Sequence, residues 1–295
     1  QNTRGVYEVF PLPPSIVRRQ IEVVLDDIEV RAVKTGMLYS RKIMEIVSQS
    51  IERHSLKAVV DPVFQAGTGG SLMKKEDLEL LISLIVPRAL VLTPNKYEAE
   101  LISRTEIRNL DDMKEAAERI SSLGARAVII KGGHIDGEKV YDLLYCEGAF
   151  RAFEKPRIDV KPHGGGCVFS SAIAGYLVLD NDTVSAVEKA EIFVQEGIKY
   201  AMKVGRGRAP VNPLAHLNNE VERYQVLRDV AGAVEVIETH PEFLPWIAEV
   251  GTQVGMAVPY AVNPDDVAAV EARIIKFRRS AKAVGCVRFG VSSHI

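Results

Sequence analysis

Short apolar segments alternate with amphipathic segments over residues 17–157, and this alternation limits the possible folds more than any other feature. The apolar segments have the short length of buried strands. They cover Ala32–Thr35, Ala58–Val60, Ala89–Leu92 and Ala127–Ile130, with weaker candidates at Asp142–Tyr145 and Ile158–Val160. Near-continuous apolar strands separated by helices predict an α/β fold with a mostly parallel sheet covered on both faces.

The segments between and after these strands predict helices. They cover Ser15–Asp27, Ser40–Arg53, Lys75–Ile85, Asp111–Leu123, Val168–Leu179 and Val184–Met202. Within the third, apolar residues recur at the spacing of one helix face, at Leu78, Leu81, Ile82 and Ile85. The capping candidates are Ser15, Ser40 and Asp111 at N-termini and Gly124 at a C-terminus.

The composition changes at residues 204–213, where Gly, Pro and Arg crowd together without apolar periodicity. We therefore expect two domains, at residues 1–203 and 214–295, joined by a linker at 204–213. In the second domain, Glu220–Ile237 predicts a helix. We expect that domain to be a partial α/β unit, because the sequence ends before its fold looks complete.

Length and charge exclude several classes of protein. The 295 residues suffice for about two domains. A net charge of −2 argues against a nucleic-acid-binding protein, and no apolar run approaches the ~18 residues of a membrane span. The N-terminus shows no signal peptide. The three cysteines (Cys146, Cys167 and Cys286) are far apart, which is typical of a reduced, cytoplasmic chain.

The most informative motif is His163-Gly164-Gly165-Gly166-Cys167, between a predicted strand and a predicted helix. Consecutive glycines allow the backbone to bend and to approach a ligand closely. The N-terminus of the following helix is an anion site, and such a site favours the thiolate form of cysteine. A base beside an anion site suits phosphoryl transfer to an alcohol. The alternative is a tight turn with a buried structural cysteine.

Polar residues also follow the other predicted strands, at the edge where open α/β sheets bind ligands. Asn95 and Glu98 are three residues apart, so a helical turn would place them on one face as a platform for Mg²⁺ and its waters. The alternative is a helix that these residues cap. Asp61 follows another strand, and its alternative role is an N-cap in a turn.

Two further strand ends complete the predicted cleft. Lys131-Gly132-Gly133-His134 combines a cation with glycines, which suits a nucleotide phosphate. Met37 follows the first strand and is a candidate pocket wall, although a lone Met more often belongs to a core. Together the strand ends predict a phosphotransferase cleft for ATP and Mg²⁺.

Residues 1–203 resemble the ribokinase-like hydroxymethylpyrimidine and phosphomethylpyrimidine kinases of thiamine biosynthesis. The segments that carry the resemblance are Gln1–Val6, Lys34–Leu38, Asp61–Val63, Leu92–Asn95, Lys131–His134 and His163–Cys167. The resemblance implies a three-layer α/β/α fold. It also implies ATP-dependent phosphorylation of 4-amino-5-hydroxymethyl-2-methylpyrimidine and then of its monophosphate.

The resemblance also implies a role for each matching residue. Cys167 would be the catalytic base, and the amides of Gly164, Gly165 and Gly166 would hold the transferring phosphoryl group. The ATP- and Mg²⁺-binding residues would be Asp61 near the metal and phosphates, Asn95 and Glu98 on Mg²⁺ through water, and Lys131 with Gly133 facing ATP. The pyrimidine-binding residues would be Gln1, through a hydrogen bond, with Met37 and Val63 against the ring.

Two departures from the family pattern bear on activity. Gly165 and Val168 stand where the family has threonines, which removes two hydroxyls near the phosphates. The family also has a strand and a Gly-rich, acid-bearing substrate loop upstream of the position of Gln1. Both ends of this sequence look cut, so we expect the chain to be weakly active or inactive without that segment.

From about Pro213 the chain resembles the archaeal-type thiamine-phosphate synthase domain that is fused to this kinase in many archaea. The matching segments are Pro245–Val254 and Phe289–His294. The resemblance implies that pyrimidine diphosphate and thiazole phosphate are joined with release of pyrophosphate. Arg273 and His294 are then candidates for phosphate binding and catalysis, with Ser292 and Ser293 as further phosphate contacts. The alternatives are a solvated helix arginine and a terminal loop histidine.

Two other functions stay open at this point. The kinase domain could instead phosphorylate pyridoxal or another vitamin alcohol, and the second domain could sense thiamine-pathway ligands without catalysis. The expected partners are small-molecule substrates and a second copy of the chain in a homodimer. Neither a nucleic acid nor a membrane is expected as a partner.

Overall fold

The computed structural model describes residues 2–64, 77–133, 138–158, 162–180, 182–261 and 263–291. The chain divides into two compact units, Gln1–Pro213 and Leu214–Ile295. Within the described ranges, none of the helices combines the length and apolar character needed to cross a bilayer.

The first unit is built on a six-stranded sheet whose strands are adjacent in the same order as in the chain. They are β1 (Ala32–Thr35), β2 (Lys57–Val60), β3 (Ala89–Leu92), β4 (Ala127–Ile130), β5 (Lys139–Cys146) and β6 (Ala149–Pro156). The first four are parallel, β5 is antiparallel to β4, and β6 is antiparallel to β5. The prediction of a mostly parallel sheet is confirmed.

Helices follow the strands as the alternation predicted. Those of the first unit are α1 (Pro14–Asp27), α2 (Arg41–Arg53), α3 (Leu78–Leu80), α4 (Lys96–Ser103), α5 (Leu110–Ser122), α6 (Gly165–Asp180) and α7 (Thr183–Lys199). Residues 75 and 76 of the third predicted helix lie outside the described residues. In the described part, α3 is followed by a π-helical turn at Leu81–Ile85 and a 3₁₀ turn at Val86–Arg88.

Several predicted details are wrong. Asn109, not Asp111, caps α5, because its side chain accepts the backbone N–H groups of Asp111 and Asp112. Pro13 occupies the N-cap position of α1, ahead of Ser15. Strand β6 was missed, since its alternation of exposed polar and apolar residues carries only a weak signal. Gly124, by contrast, follows α5 with a φ of 114°, as a helix-ending glycine does.

Two hydrophobic cores cover the two faces of the sheet. Val60, Leu92 and Ile130 point to the core made with α2, α4 and α5. Their chain neighbours on the strands, Val59 and Ile129, point to the other core, which α6 and α7 close. Because side chains alternate along a strand, apolar residues at successive positions produce this three-layer arrangement.

The predicted linker is held on the first unit. Ala209–Pro210 forms strand β8, which pairs in parallel with β7 (Pro162–His163). The backbone N–H of Arg208 donates to Thr3 at 2.9 Å. Backbone hydrogen bonds therefore attach parts of the 204–213 segment to the rest of the first unit.

The second unit consists of one long helix, α8 (Ala215–Thr239), packed against short antiparallel strands. Its strands are β9 (Gly255–Ala257), β10 (Val267–Val270), β11 (Ile274–Phe277), β12 (Ser280–Ala283) and β13 (Val287–Phe289), and its 3₁₀ turns are Pro241–Trp246 and Pro264–Asp266. Strand β10 lies between β13 and β9, and β11 pairs with β12 as a hairpin.

Candidate active site

The carboxyl ends of the parallel strands bring the predicted site residues of the first unit to one edge of the sheet. Met37 follows β1, Asp61 follows β2, Asn95 follows β3, and Lys131 follows β4. This edge is where α/β sheets bind ligands.

A buried carboxylate between two lysines lies at the centre of this edge. Asp61 is 3% exposed. One of its oxygens is 3.0 Å from Nζ of Lys131, and the other is 3.9 Å from Nζ of Lys34. The Thr93 hydroxyl donates to the first oxygen at 3.3 Å. The backbone N–H of Asp61 donates to the Thr35 carbonyl, which fixes the residue at the end of β1 and β2.

Asn95 and Glu98 form a capping box at the start of α4. The Asn95 side chain accepts the Glu98 backbone N–H at 2.9 Å, and the Glu98 carboxylate accepts the Asn95 backbone N–H at 2.8 Å. The pKa of Glu98 is raised to about 7, mainly by burial; Lys131 and backbone hydrogen bonds oppose the rise, and the charge of Asp61 adds to it. The capping alternative is thus present, and the role of both residues at a metal stays a prediction.

Lys131 lies between the two acidic groups. Burial lowers the pKa of its ammonium, but the negative charges of Asp61 and Glu98 outweigh that effect and leave the pKa above its usual value. Its backbone N–H donates to the Pro94 carbonyl at 2.9 Å. Lys131 is therefore a fixed cation at a strand end, which suits a phosphate ligand.

The glycine loop approaches this ion pair directly. Gly164 has a φ of +84°, a conformation that favours glycine, and α6 begins at Gly165. A Cβ on Gly166 would lie 3.0 Å from Nζ of Lys131 and 3.8 Å from the Asp61 carboxylate. Cys167 is exposed in the first turn of α6. The N-terminus of α6, the thiol and the Asp61–Lys131 pair thus share one region.

The predicted pyrimidine contacts are less defined. Met37 is 40% exposed just after β1, which fits a ligand wall better than a core position. Val63 is half-buried, and its backbone N–H donates to the Asp61 carbonyl. Gln1 lies outside the described residues, as does His134, and Gly133 ends a described range.

The candidates of the second unit do not form a comparable cluster among the described residues. Arg273 immediately precedes β11, so the alternative of a helix arginine is wrong. Its guanidinium donates to the Val250 carbonyl at 2.8 Å, within the predicted synthase segment. His294, Ser292 and Ser293 lie outside the described residues.

Sequence reasoning missed Lys34 as part of the site. Its Nζ comes within 3.9 Å of Asp61, although it stands inside a strand. A lysine among the apolar residues of a short strand was the available signal, because a half-buried strand cation needs a partner.

The acidic donors agree with a magnesium site that phosphates complete. Among the described residues, no three acidic, histidine or cysteine side chains come together as a metal site. Asp61 and Glu98 are close enough for the charge of one to raise the pKa of the other. Mg²⁺ typically binds one or two carboxylates together with substrate phosphates and water, so this pair fits the ion.

Comparison with known proteins identifies both parts of the chain. Residues 1–212 match the family model of phosphomethylpyrimidine kinase, and residues 229–295 match that of thiamine-phosphate synthase ThiN. A hydroxymethylpyrimidine/phosphomethylpyrimidine kinase of Aquifex aeolicus is 40% identical over 209 residues, which cover 70% of this chain and 82% of that protein. The chain belongs to the phosphomethylpyrimidine kinase family.

A two-function relative and two solved structures extend this result. The thiamine biosynthesis bifunctional protein ThiED of Geobacter sulfurreducens is 40% identical over 72% of this chain, and the match spans 44% of that protein. The phosphomethylpyrimidine kinase structure from Clostridium difficile gives a TM-score of 0.60 at 40% identity, covering 67% of this chain and 82% of that chain. The structure of a Bacillus subtilis pyridoxal kinase bound to ADP gives a TM-score of 0.66 at 34% identity, covering 72% of this chain and 80% of that chain.

These similarities confirm the ribokinase-like fold, the kinase family and the synthase-type second domain predicted from the sequence. Members of a kinase family transfer phosphoryl groups, and the pyridoxal kinase complexes show nucleotide binding on this fold. The roles of individual residues and the domain boundaries stay predictions.

Proposed function

We propose that the chain phosphorylates 4-amino-5-hydroxymethyl-2-methylpyrimidine, and then its monophosphate, with ATP as the donor. The observation that carries the proposal is the approach of Gly166 to the Asp61–Lys131 pair beside the exposed Cys167. This places an anion-binding helix terminus, a buried cation and a candidate base around one point.

Each group has one task in the proposed reaction. Cys167, as thiolate, takes the proton of the hydroxymethyl group while its oxygen bonds to the γ-phosphorus of ATP and the bond to ADP breaks. The amides of Gly164–Gly166 and the ammonium of Lys131 stabilise the charge on the transferring group. Mg²⁺, held by Asn95 and Glu98 through water with Asp61 nearby, would neutralise the nucleotide phosphates.

The second step uses the monophosphate as the acceptor. Its phosphate then occupies the place of the hydroxyl group and accepts the second phosphoryl group at the same helix terminus. No second base is needed, because a phosphate oxygen is already ionised at neutral pH. Cys167 is therefore more important for the first step than for the second.

The test is a mass-spectrometric assay of the full chain with the pyrimidine alcohol, ATP and Mg²⁺. Formation of monophosphate and diphosphate supports the proposal, with loss of the first step in Cys167→Ala. Cys146→Ala is the matched control, since Cys146 lies half-buried on β5 away from the glycine loop. Phosphorylation of pyridoxal without any pyrimidine product would contradict the substrate assignment.

For the second unit we propose thiamine-phosphate synthesis from the pyrimidine diphosphate and thiazole phosphate. The match of residues 229–295 to the synthase family supports it. Adding thiazole phosphate to the same assay tests the proposal, because thiamine phosphate and pyrophosphate should both appear. Binding of the diphosphate without turnover would favour a sensing domain instead. A cytoplasmic location and a homodimer remain parts of the proposal.

A further inference from the structure

Two buried acidic residues and a half-buried lysine meet behind the strand end that carries Lys131. They are Asp142 on β5, Lys155 on β6 and Glu191 on α7, here called the buried triad. Asp142 is 5% exposed and Glu191 is 7% exposed. Nζ of Lys155 lies 2.6 Å from one oxygen of Asp142 and also donates to Glu191. Burying ionisable groups is costly, so the arrangement calls for a reason.

The triad connects to the candidate nucleotide site through one hydrogen bond. The second oxygen of Asp142 accepts the backbone N–H of Gly132 at 2.7 Å. Gly132 also has no space for a side chain, because a Cβ there would lie 1.9 Å from the Tyr141 carbonyl oxygen. With Lys131 N–H bound to Pro94, the backbone on each side of the Lys131 carbonyl is fixed.

The charge state of the triad favours this hydrogen bond. The pKa of Glu191 is raised to about 8, mainly by burial and also by the charge of Asp142, while Lys155 opposes the rise. The ammonium of Lys155 lies against the carboxyl groups of both Asp142 and Glu191. A carboxylate is a stronger acceptor for the Gly132 N–H than a neutral group would be.

A second ion pair joins the same strand and helix. Arg151 of β6 lies four residues before Lys155 and pairs with Glu188 of α7, which lies three residues before Glu191. Its side chains are 56% and 33% exposed. The Arg151–Glu188 pair is a matched reference, because it joins the same elements without a bond to Gly132.

We propose that the buried triad is a positioning device for nucleotide binding, in which Asp142 holds the Lys131–Gly133 turn against the phosphates of ATP. The proposal rests on the nucleotide role of Lys131 under the proposed function. Asp142, Lys155 and Glu191 are positioning residues, since they act through the Gly132 amide and the Lys131 backbone. Loss of the triad should weaken nucleotide binding and leave pyrimidine binding unchanged.

The test measures ADP affinity by titration calorimetry with Mg²⁺ and the full chain, so that turnover is not required. In Asp142→Ala the Gly132 N–H loses its acceptor, and we expect ADP to bind about tenfold more weakly. Asp142→Asn retains an acceptor oxygen and should recover most of the affinity. Lys155→Met should weaken ADP binding, whereas Arg151→Met should leave it within about twofold. Affinity for the pyrimidine alcohol, measured in parallel, should stay unchanged in all four variants.

Each other outcome is decisive. Unchanged ADP affinity in folded Asp142→Ala or Lys155→Met overturns the inference, as does an equal loss in Arg151→Met or a parallel loss of pyrimidine affinity. If circular dichroism shows that Asp142→Ala is unfolded, the ADP affinities of Asp142→Asn and Lys155→Met are compared with that of Arg151→Met instead. A wild-type chain that binds ADP but phosphorylates no pyrimidine contradicts only the proposed function. A wild-type chain that binds no ADP overturns both.

Discussion

The two units bring residues together in different ways. In the first, parallel strands place Asp61 and Lys131, 70 residues apart in the chain, within 3.0 Å of each other. In the second, the paired strands are antiparallel, and the Arg273 side chain donates to the backbone of Val250, 23 residues earlier. A parallel sheet gathers the ends of many segments at one edge, so residues can meet there without being near in sequence.

From this comparison we expect the largest loss of kinase activity when Lys131 is replaced. In Lys131→Met, the buried carboxylate of Asp61 loses its closest cation and the phosphate site loses its fixed charge. We expect kcat/KM for ATP to fall about a hundredfold, measured by steady-state assay. Lys139→Met is the control, because Lys139 forms an exposed pair with Glu154. An equal loss in both variants would contradict the special role of the sheet edge.

The next largest effect is on the free energy of unfolding, and it should differ between two adjacent glycines. A Cβ on Gly132 would collide with the Tyr141 backbone, whereas a Cβ on Gly133 would meet nothing within 4 Å among the described residues. Gly132→Ala should lower the free energy of unfolding by about 2–3 kcal/mol, and Gly133→Ala by less than about 0.5 kcal/mol. Urea denaturation measures both. Similar values for the two variants would show that the strand end is not rigidly packed.

A smaller effect concerns pH. The pKa of Glu191 is about 8 in the folded chain against 4.5 in its ordinary state, so between these values the folded chain binds more protons than the unfolded chain. Its free energy of unfolding therefore decreases as pH rises across this window. Glu191→Gln should make that decrease smaller, by an amount on the order of 1 kcal/mol. Denaturation at several pH values is the measurement, and Glu188→Gln, in the exposed pair, should retain the wild-type slope.

The smallest effect is expected in the second unit. Arg273→Ala removes one hydrogen bond from an exposed side chain, so we expect a change of about 0.5 kcal/mol in unfolding and no change in kinase rate. Thiamine-phosphate formation should nevertheless fall if Arg273 binds phosphate. Arg279→Ala on the same hairpin is the control. A reduced kinase rate in Arg273→Ala would contradict the independence of the two sites.

Much of the first unit could be predicted from local patterns. The bounds of β1, β3 and β4 agree with the prediction. In β3 and β4, four consecutive apolar residues between polar helices leave little choice of strand. Strand β6 could not be found in this way. It lies at the edge of the sheet, so most of its side chains are exposed and its pattern resembles that of a loop.

The candidate site, like the fold, could be predicted only in part. The residue types at the strand ends could be predicted, since glycine, acidic and basic residues stand out after apolar strands. The contacts could not be predicted, because they depend on which strands are adjacent. For Asn95 and Glu98 the spacing left two alternatives open, a shared face and a capped helix, and the structure shows each side chain bound to the other residue's backbone. The buried triad likewise joins three elements that no sequence pattern connects.

The strand order of the first unit has a consequence for synthesis. Each strand from β2 to β6 pairs with the strand made just before it, so the sheet can grow in step with the ribosome without waiting for distant segments. The glycine loop and Cys167 are translated only after all six of these strands, and β8 later still. A nascent chain would therefore complete the strands of its sheet before the glycine loop and Cys167 are made.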